Sequence, residues 1–113
     1  MIARLPAHLE VSGLIRAVQA EGGFATVLAK GERDAGTILL VVCENGGNAR
    51  IFERMPWAAE GRQWHCAKRQ IVDQKQEFAD YLDRRRTQDP DLWIVELDIA
   101  QGERFIGLTP DEG

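Results

Sequence analysis

Two histidines and two cysteines, His8, His65, Cys43 and Cys66, are nominally enough for a four-ligand zinc site. Their spacing argues against one. There is no Cys-x-x-Cys or His-x-x-x-His pair, and His65 and Cys66, adjacent on a strand-like segment, must point to opposite faces. The same adjacency stops His65 from serving as a base for Cys66, so only Cys43 with His65 remains open as nucleophile and base. Cys43 ends the most apolar run of the chain, where burial raises a thiol's pKa and makes it inert. Both cysteines read as buried thiols packing as small hydrophobes, with a disulfide between neighbouring strands as the minor alternative.

The element order helix, strands, helix, strand invites comparison with nucleases that have a strand-borne acid followed by an acid-x-lysine on the next strand. Asp34 stands where the first acid would lie, and Glu53 is the acid of the following strand. Glu53-Arg54-Met55 offers no lysine, so the usual arrangement for polarising a phosphate beside a metal-bound water is missing. No glycine-rich phosphate loop occurs either, since Gly46-Gly47 reads as a hairpin turn. The sequence nominates no catalytic residue, metal ligand or cofactor site. An enzyme acting through Asp34 and Glu53 stays as the alternative reading.

Binding residues are easier to nominate. In Arg33-Asp34-Ala35-Gly36, Asp34 can accept backbone N–H bonds and Gly36 can take a conformation that other residues resist. Turn chemistry accounts for that motif; the sharper reading sets Arg33 and Asp34 beside a ligand or partner groove. Arg84-Arg85-Arg86 point three ways on a helix and oppose its macrodipole, with Arg85 at the edge of the buried stripe. Trp57 follows Pro56 in a loop, where an exposed indole would suit a contact surface. Arg33, Asp34, Trp57, His65 and Arg85 are the candidate binding residues.

These side chains must be positioned by a small set of elements. Thr37-Ile38-Leu39-Leu40-Val41-Val42-Cys43 is unbroken, apolar and mostly β-branched, so it reads as a strand buried on both faces. The turn residues Glu44-Asn45-Gly46-Gly47-Asn48 and the run 49–55 complete a hairpin. Residues 24–30, 62–68, 92–97 and 104–108 read as further strands. The first helix opens at Pro6, buries Val11, Leu14, Ile15 and Val18, and ends at Gly22-Gly23; Gly13 within it allows close approach to the sheet. The second is capped by Asp73 with Gln76, buries a narrow stripe of Phe78, Tyr81 and Leu82, and stops at Asp89-Pro90-Asp91. The two helices can cover one sheet face, leaving the other to a bent sheet, a long loop or a second subunit.

Length and composition bound the rest. The chain has 113 residues, 44% hydrophobic and 28% charged, which suits one folded domain over 1–108 with a frayed tail at 109–113. A net charge of −4 argues against a nucleic-acid partner. No stretch approaches the ~20 apolar residues of a membrane span, and the first residues lack a secretory pattern, so a cytoplasmic protein is expected.

Gly31-Glu32-Arg33-Asp34-Ala35-Gly36-Thr37 and Asp89-Pro90-Asp91-Leu92-Trp93-Ile94-Val95-Glu96, with the order of elements, resemble a small alphaproteobacterial family, domain of unknown function 1491. The resemblance spans roughly residues 4–105, with a shorter segment at 58–64 than the family pattern, and it implies no activity, cofactor or catalytic residue to carry over. The reading as a whole is an α+β fold, order α-β-β-β-β-α-β-β, with a mostly antiparallel sheet of five or six strands and two helices. Its function is expected to be that of a non-enzymatic interaction module, with a homodimer through a sheet face or the Trp57 loop as one form of it.

Overall fold

The computed structural model describes residues 6–54, 64–69 and 75–106. Their order is α1 (Ala7–Ala20), β1 (Phe24–Ala29), β2 (Ile38–Glu44), β3 (Gly47–Arg54), β4 (Trp64–Arg69), α2 (Lys75–Gln88), β5 (Trp93–Asp98) and a 3-10 helix at Gly102–Ile106. The strands form one sheet in the order β1-β5-β2-β3-β4, so the apolar run is its middle strand. Every β2 residue from Ile38 to Cys43 is buried. β2 pairs antiparallel with β3 and parallel with β5; the remaining pairs, β1 with β5 and β3 with β4, are antiparallel.

The side chains of β2 alternate between two cores. Ile38, Leu40 and Val42 join Phe52, Trp93, Val95 and Leu97 beneath Ala7, Val11 and Val18 of α1. Leu39, Val41 and Cys43 join Ile51, Leu92 and Ile94 beneath Phe78 of α2. The helices therefore lie on opposite faces, and the expectation that both share one face is corrected. Topology supplies the reason: β4 is an edge and β5 lies beyond β2, so the chain between them must cross β3 and β2 on one face. It does so as α2. The central strand needs no second subunit to cover it.

The β2–β3 hairpin turns on Asn45 and Gly46, whose φ values of 52° and 76° fit a two-residue type I′ turn. Asp98, at the end of β5, accepts bonds from the N–H groups of Asn45 at 2.7 Å and Gly46 at 3.1 Å. The strand expected at 104–108 is instead the 3-10 helix, with 107 and 108 outside the described residues. Its Gly102 sits where an added Cβ would lie 2.5 Å from Val42 Cγ1, so this segment packs flat on the α1 face rather than pairing at an edge. Gly13 differs from expectation: a Cβ there would meet nothing within 4 Å, so the helix does not need it for close packing.

Candidate functional site

The two sequence motifs that carry the resemblance meet in space. Glu32 N–H donates to the Asp91 carbonyl at 2.9 Å, Trp93 Nε1 donates to the Glu32 carbonyl at 2.7 Å, and Trp93 N–H donates to the Thr37 carbonyl at 2.8 Å. An added Cβ on Gly36 would sit 2.5 Å from the Asp91 oxygen and 2.7 Å from the Glu32 oxygen. Gly36 is thus required by close backbone approach and not by a left-handed φ, which only Gly22 and Gly46 among the described glycines adopt. Glu32, not Asp34, holds the turn, accepting from Asp34 N–H at 2.8 Å and from Ala35 N–H.

The same loop organises α1. Ala7 N–H donates to the Asp34 carbonyl at 3.0 Å and His8 N–H to the Arg33 carbonyl at 2.9 Å, satisfying first-turn donors for which Pro6 provides no side-chain cap. His8 Nδ1 lies 3.1 Å from the Arg33 carbonyl and 3.9 Å from Asp34 Oδ1. The Arg33 and Asp34 backbones are spent on joining α1 to the sheet, while both residues stay exposed.

Arg85 stands in a different network. On the α2 face, Glu53 accepts from Tyr81 Oη through one carboxylate oxygen and from Arg85 Nη2 through the other, both at 2.7 Å. Lys68 of β4 bonds Glu77 at 2.6 Å and lies 5.8 Å from the centre of the Tyr81 ring. Burial and the adjoining Glu53 carboxylate push the Tyr81 phenol from 10.0 up to about 12. Both Glu53 oxygens are engaged in pinning α2 to the sheet. Asp34 and Glu53 belong to separate networks, and among the described residues no three His, Cys, Asp or Glu side chains gather to hold a metal ion.

Among the described residues, Arg33 and Asp34 are not gathered with Arg85 into one cleft. Arg33 and Asp34 lie in the loop whose carbonyls meet the start of α1, Arg85 projects from α2 onto Glu53, His65 stands opposite Glu53 in the backbone ladder of β3 and β4, and Trp57 lies outside the described residues. Cys43 and Cys66 are free and belong to opposite cores. Burial, then the charges of Glu96 and Asp98, pushes the Cys43 thiol from 9.0 up to about 11, which leaves it protonated and inert.

Two features lay outside the sequence reading. Arg50 and Glu103, 3% and 1% exposed, form a buried forked pair, Nε to Oε2 at 2.7 Å and Nη2 to Oε1 at 2.8 Å, with Arg50 Nη1 on the Asn48 carbonyl. The alternation of β3 carried a signal, because Arg50 shares a face with Phe52, and a core-facing arginine requires an acid. The second feature is the β1 edge. Phe24, Val27 and Leu28 are 73%, 40% and 44% exposed, and with Leu9 they are the exposed large hydrophobic residues of the described structure. A cleft of about 500 Å³ adjoins the end of β1, but Lys30 and Arg86 share its walls with Asp83 and Asp89, so it favours no single sign of charge.

Comparison with known proteins gives a consistent picture. The model of a family described as "Protein of unknown function (DUF1491)" matches residues 5–107. The crystal structure of a DUF1491 family protein from Caulobacter crescentus is 31% identical, covering 95% of this chain and 98% of that one, with a TM-score of 0.76. An NMR structure of a DUF1491 family protein from the same organism is 30% identical over 96% of this chain and 97% of that one, at a TM-score of 0.77. A solution structure from A. tumefaciens is 31% identical over 86% and 87% of the two chains, at 0.69. No curated protein matches the chain.

Proposed function

The chain belongs to the DUF1491 family, and we propose that it acts as a non-enzymatic interaction module whose docking element is the free edge of β1. One observation carries this reading. β1 ends the sheet, spans Phe-Ala-Thr-Val-Leu-Ala without a charge or a proline, and exposes three large apolar side chains. A soluble protein ordinarily blunts such an edge with lysine, proline or a covering element, because its unpaired N–H and C=O groups invite another strand. The opposite edge, β4, is treated that way: it carries Lys68 and Arg69, and Lys68 is held by Glu77 of α2. Strand addition at β1 would use backbone hydrogen bonds for affinity and the exposed apolar side chains for selectivity.

The chemistry-bearing side chains support a binding role over a catalytic one. Glu53, Tyr81 and Arg85 fasten a helix, Arg50 and Glu103 fasten the 3-10 helix, and Cys43 is buried. The test is an NMR titration of the full chain with extended octapeptides of alternating valine and threonine that differ in end charge. Shifts confined to β1 and β5 are expected, and shifts abolished by Thr26→Pro would place the peptides on that edge. Peptides that leave β1 unmoved at millimolar concentration overturn the reading.

A further inference from the structure

Resting on that reading of β1 as a docking edge, we infer that its occupant is a second copy of this chain, paired antiparallel about a two-fold axis. The charges are arranged for self-complementarity. Glu21 precedes the strand, Lys30 follows it, and nothing between them is charged. An antiparallel copy therefore turns the Lys30 end of each strand towards the Glu21 end of the other, whereas a parallel copy sets like charge towards like. Glu21 already receives Arg104 Nη1 at 2.6 Å through Oε1, leaving its other oxygen for the incoming ammonium.

The sheet also restricts the register. Side chains opposite one another across an antiparallel pair share a face, so a two-fold axis perpendicular to the sheet must pass through a residue and not between two. The regular ladder of β1 with β5 covers Phe24, Ala25, Thr26 and Val27, with an irregularity before Ala29. An axis within that ladder, through Ala25, Thr26 or Val27, lays the uncharged strand of one copy along that of the other. The two five-stranded sheets would then run on as one, closing the edge in both copies.

A contact built on one strand pair is small beside the ~1,200–2,000 Å² of a standard interface, so the association depends on concentration. Light scattering of the full chain at high micromolar concentration should give twice the monomer mass, falling towards the monomer on dilution. Thr26→Lys brings an ammonium group from each copy to the middle of the joined strands at an exposed position and should return the mass to the monomer with an unchanged far-ultraviolet spectrum. Of Ala25→Cys, Thr26→Cys and Val27→Cys, the one on the axis should form an inter-chain disulfide under mild oxidation, because paired Cα atoms lie within disulfide range. A wild-type monomer at high concentration, or a dimer that survives Thr26→Lys, overturns the inference. A monomer whose β1 still accepts the octapeptides leaves the docking edge standing and removes only the second copy as its occupant; failure of both assays removes both.

Discussion

On the α1 side of the sheet, Glu103 meets Arg50 with side-chain exposures of 2% and 4%, whereas on the α2 side Glu53 meets Arg85 at 19% and 24%. Both pairs are a glutamate and an arginine 2.7 Å apart, and both fasten a helical segment to β3. Their surroundings separate them. If one partner is removed, Arg50 is left charged with no path to water, while Arg85 can turn outward. Equal contact lengths thus carry unequal consequences, because the cost of an unpaired charge is set by how much water can replace the partner.

The comparison is most exposed to failure at Glu103. Glu103→Ala should destabilise the fold by about 3–5 kcal/mol in urea unfolding, whereas Arg50→Met with Glu103→Leu should recover most of that loss. A single substitution costing no more than its α2 counterpart would mean that burial does not distinguish the two pairs. Glu53→Ala should cost about 1–2 kcal/mol, since Tyr81 and Arg85 keep access to solvent. Tyr81→Phe removes one hydrogen bond and should cost about 1 kcal/mol.

Alkaline pH sharpens the α2 side further. Tyr81 and Cys43 are acids held protonated by the fold, so their folded pKa values lie above the unfolded ones. The stability this contributes is intact below pH 9 and is lost as pH rises, between 9.0 and about 11 for Cys43 and between 10.0 and about 12 for Tyr81. Tyr81 is the single tyrosine of the chain, so tyrosinate absorbance follows it alone. Its midpoint should fall in Glu53→Gln, and an unmoved midpoint would show that Glu53 plays no part in the shift. The smallest effect belongs to α1: Gly13→Ala meets open space and should stabilise by about 0.5–1 kcal/mol through helix propensity and a less flexible unfolded chain.

The motif loop teaches a related lesson about sites. Arg33 and Asp34 drew notice as polar residues in a distinctive turn, and the structure places that turn where α1, β2 and β5 must be joined. Its glutamate and glycines serve backbone approach between segments some 60 positions apart, as with Trp93 Nε1 on the Glu32 carbonyl. Sequence spacing made the turn visible, but the partner that explains it lies in the other motif.

What the chain's order of residues determined by itself was local and periodic. The run Ile38–Val42 reads as a strand with two apolar faces, Phe78, Tyr81, Leu82 and Arg85 fall on one helical stripe, and Asn45-Gly46 favours a tight turn. Those facts follow from backbone sterics and the periods of helix and strand. Which face each helix covers, the meeting of Arg50 with Glu103, the 3-10 geometry of residues 102–106 and the bare edge of β1 were decided by tertiary structure. Each depends on segments distant in sequence, Arg50 and Glu103 being 53 positions apart, and on which strand comes to lie at the border of the sheet. Local propensity carries no information about such pairings, because their free energy arises only once the intervening chain has folded.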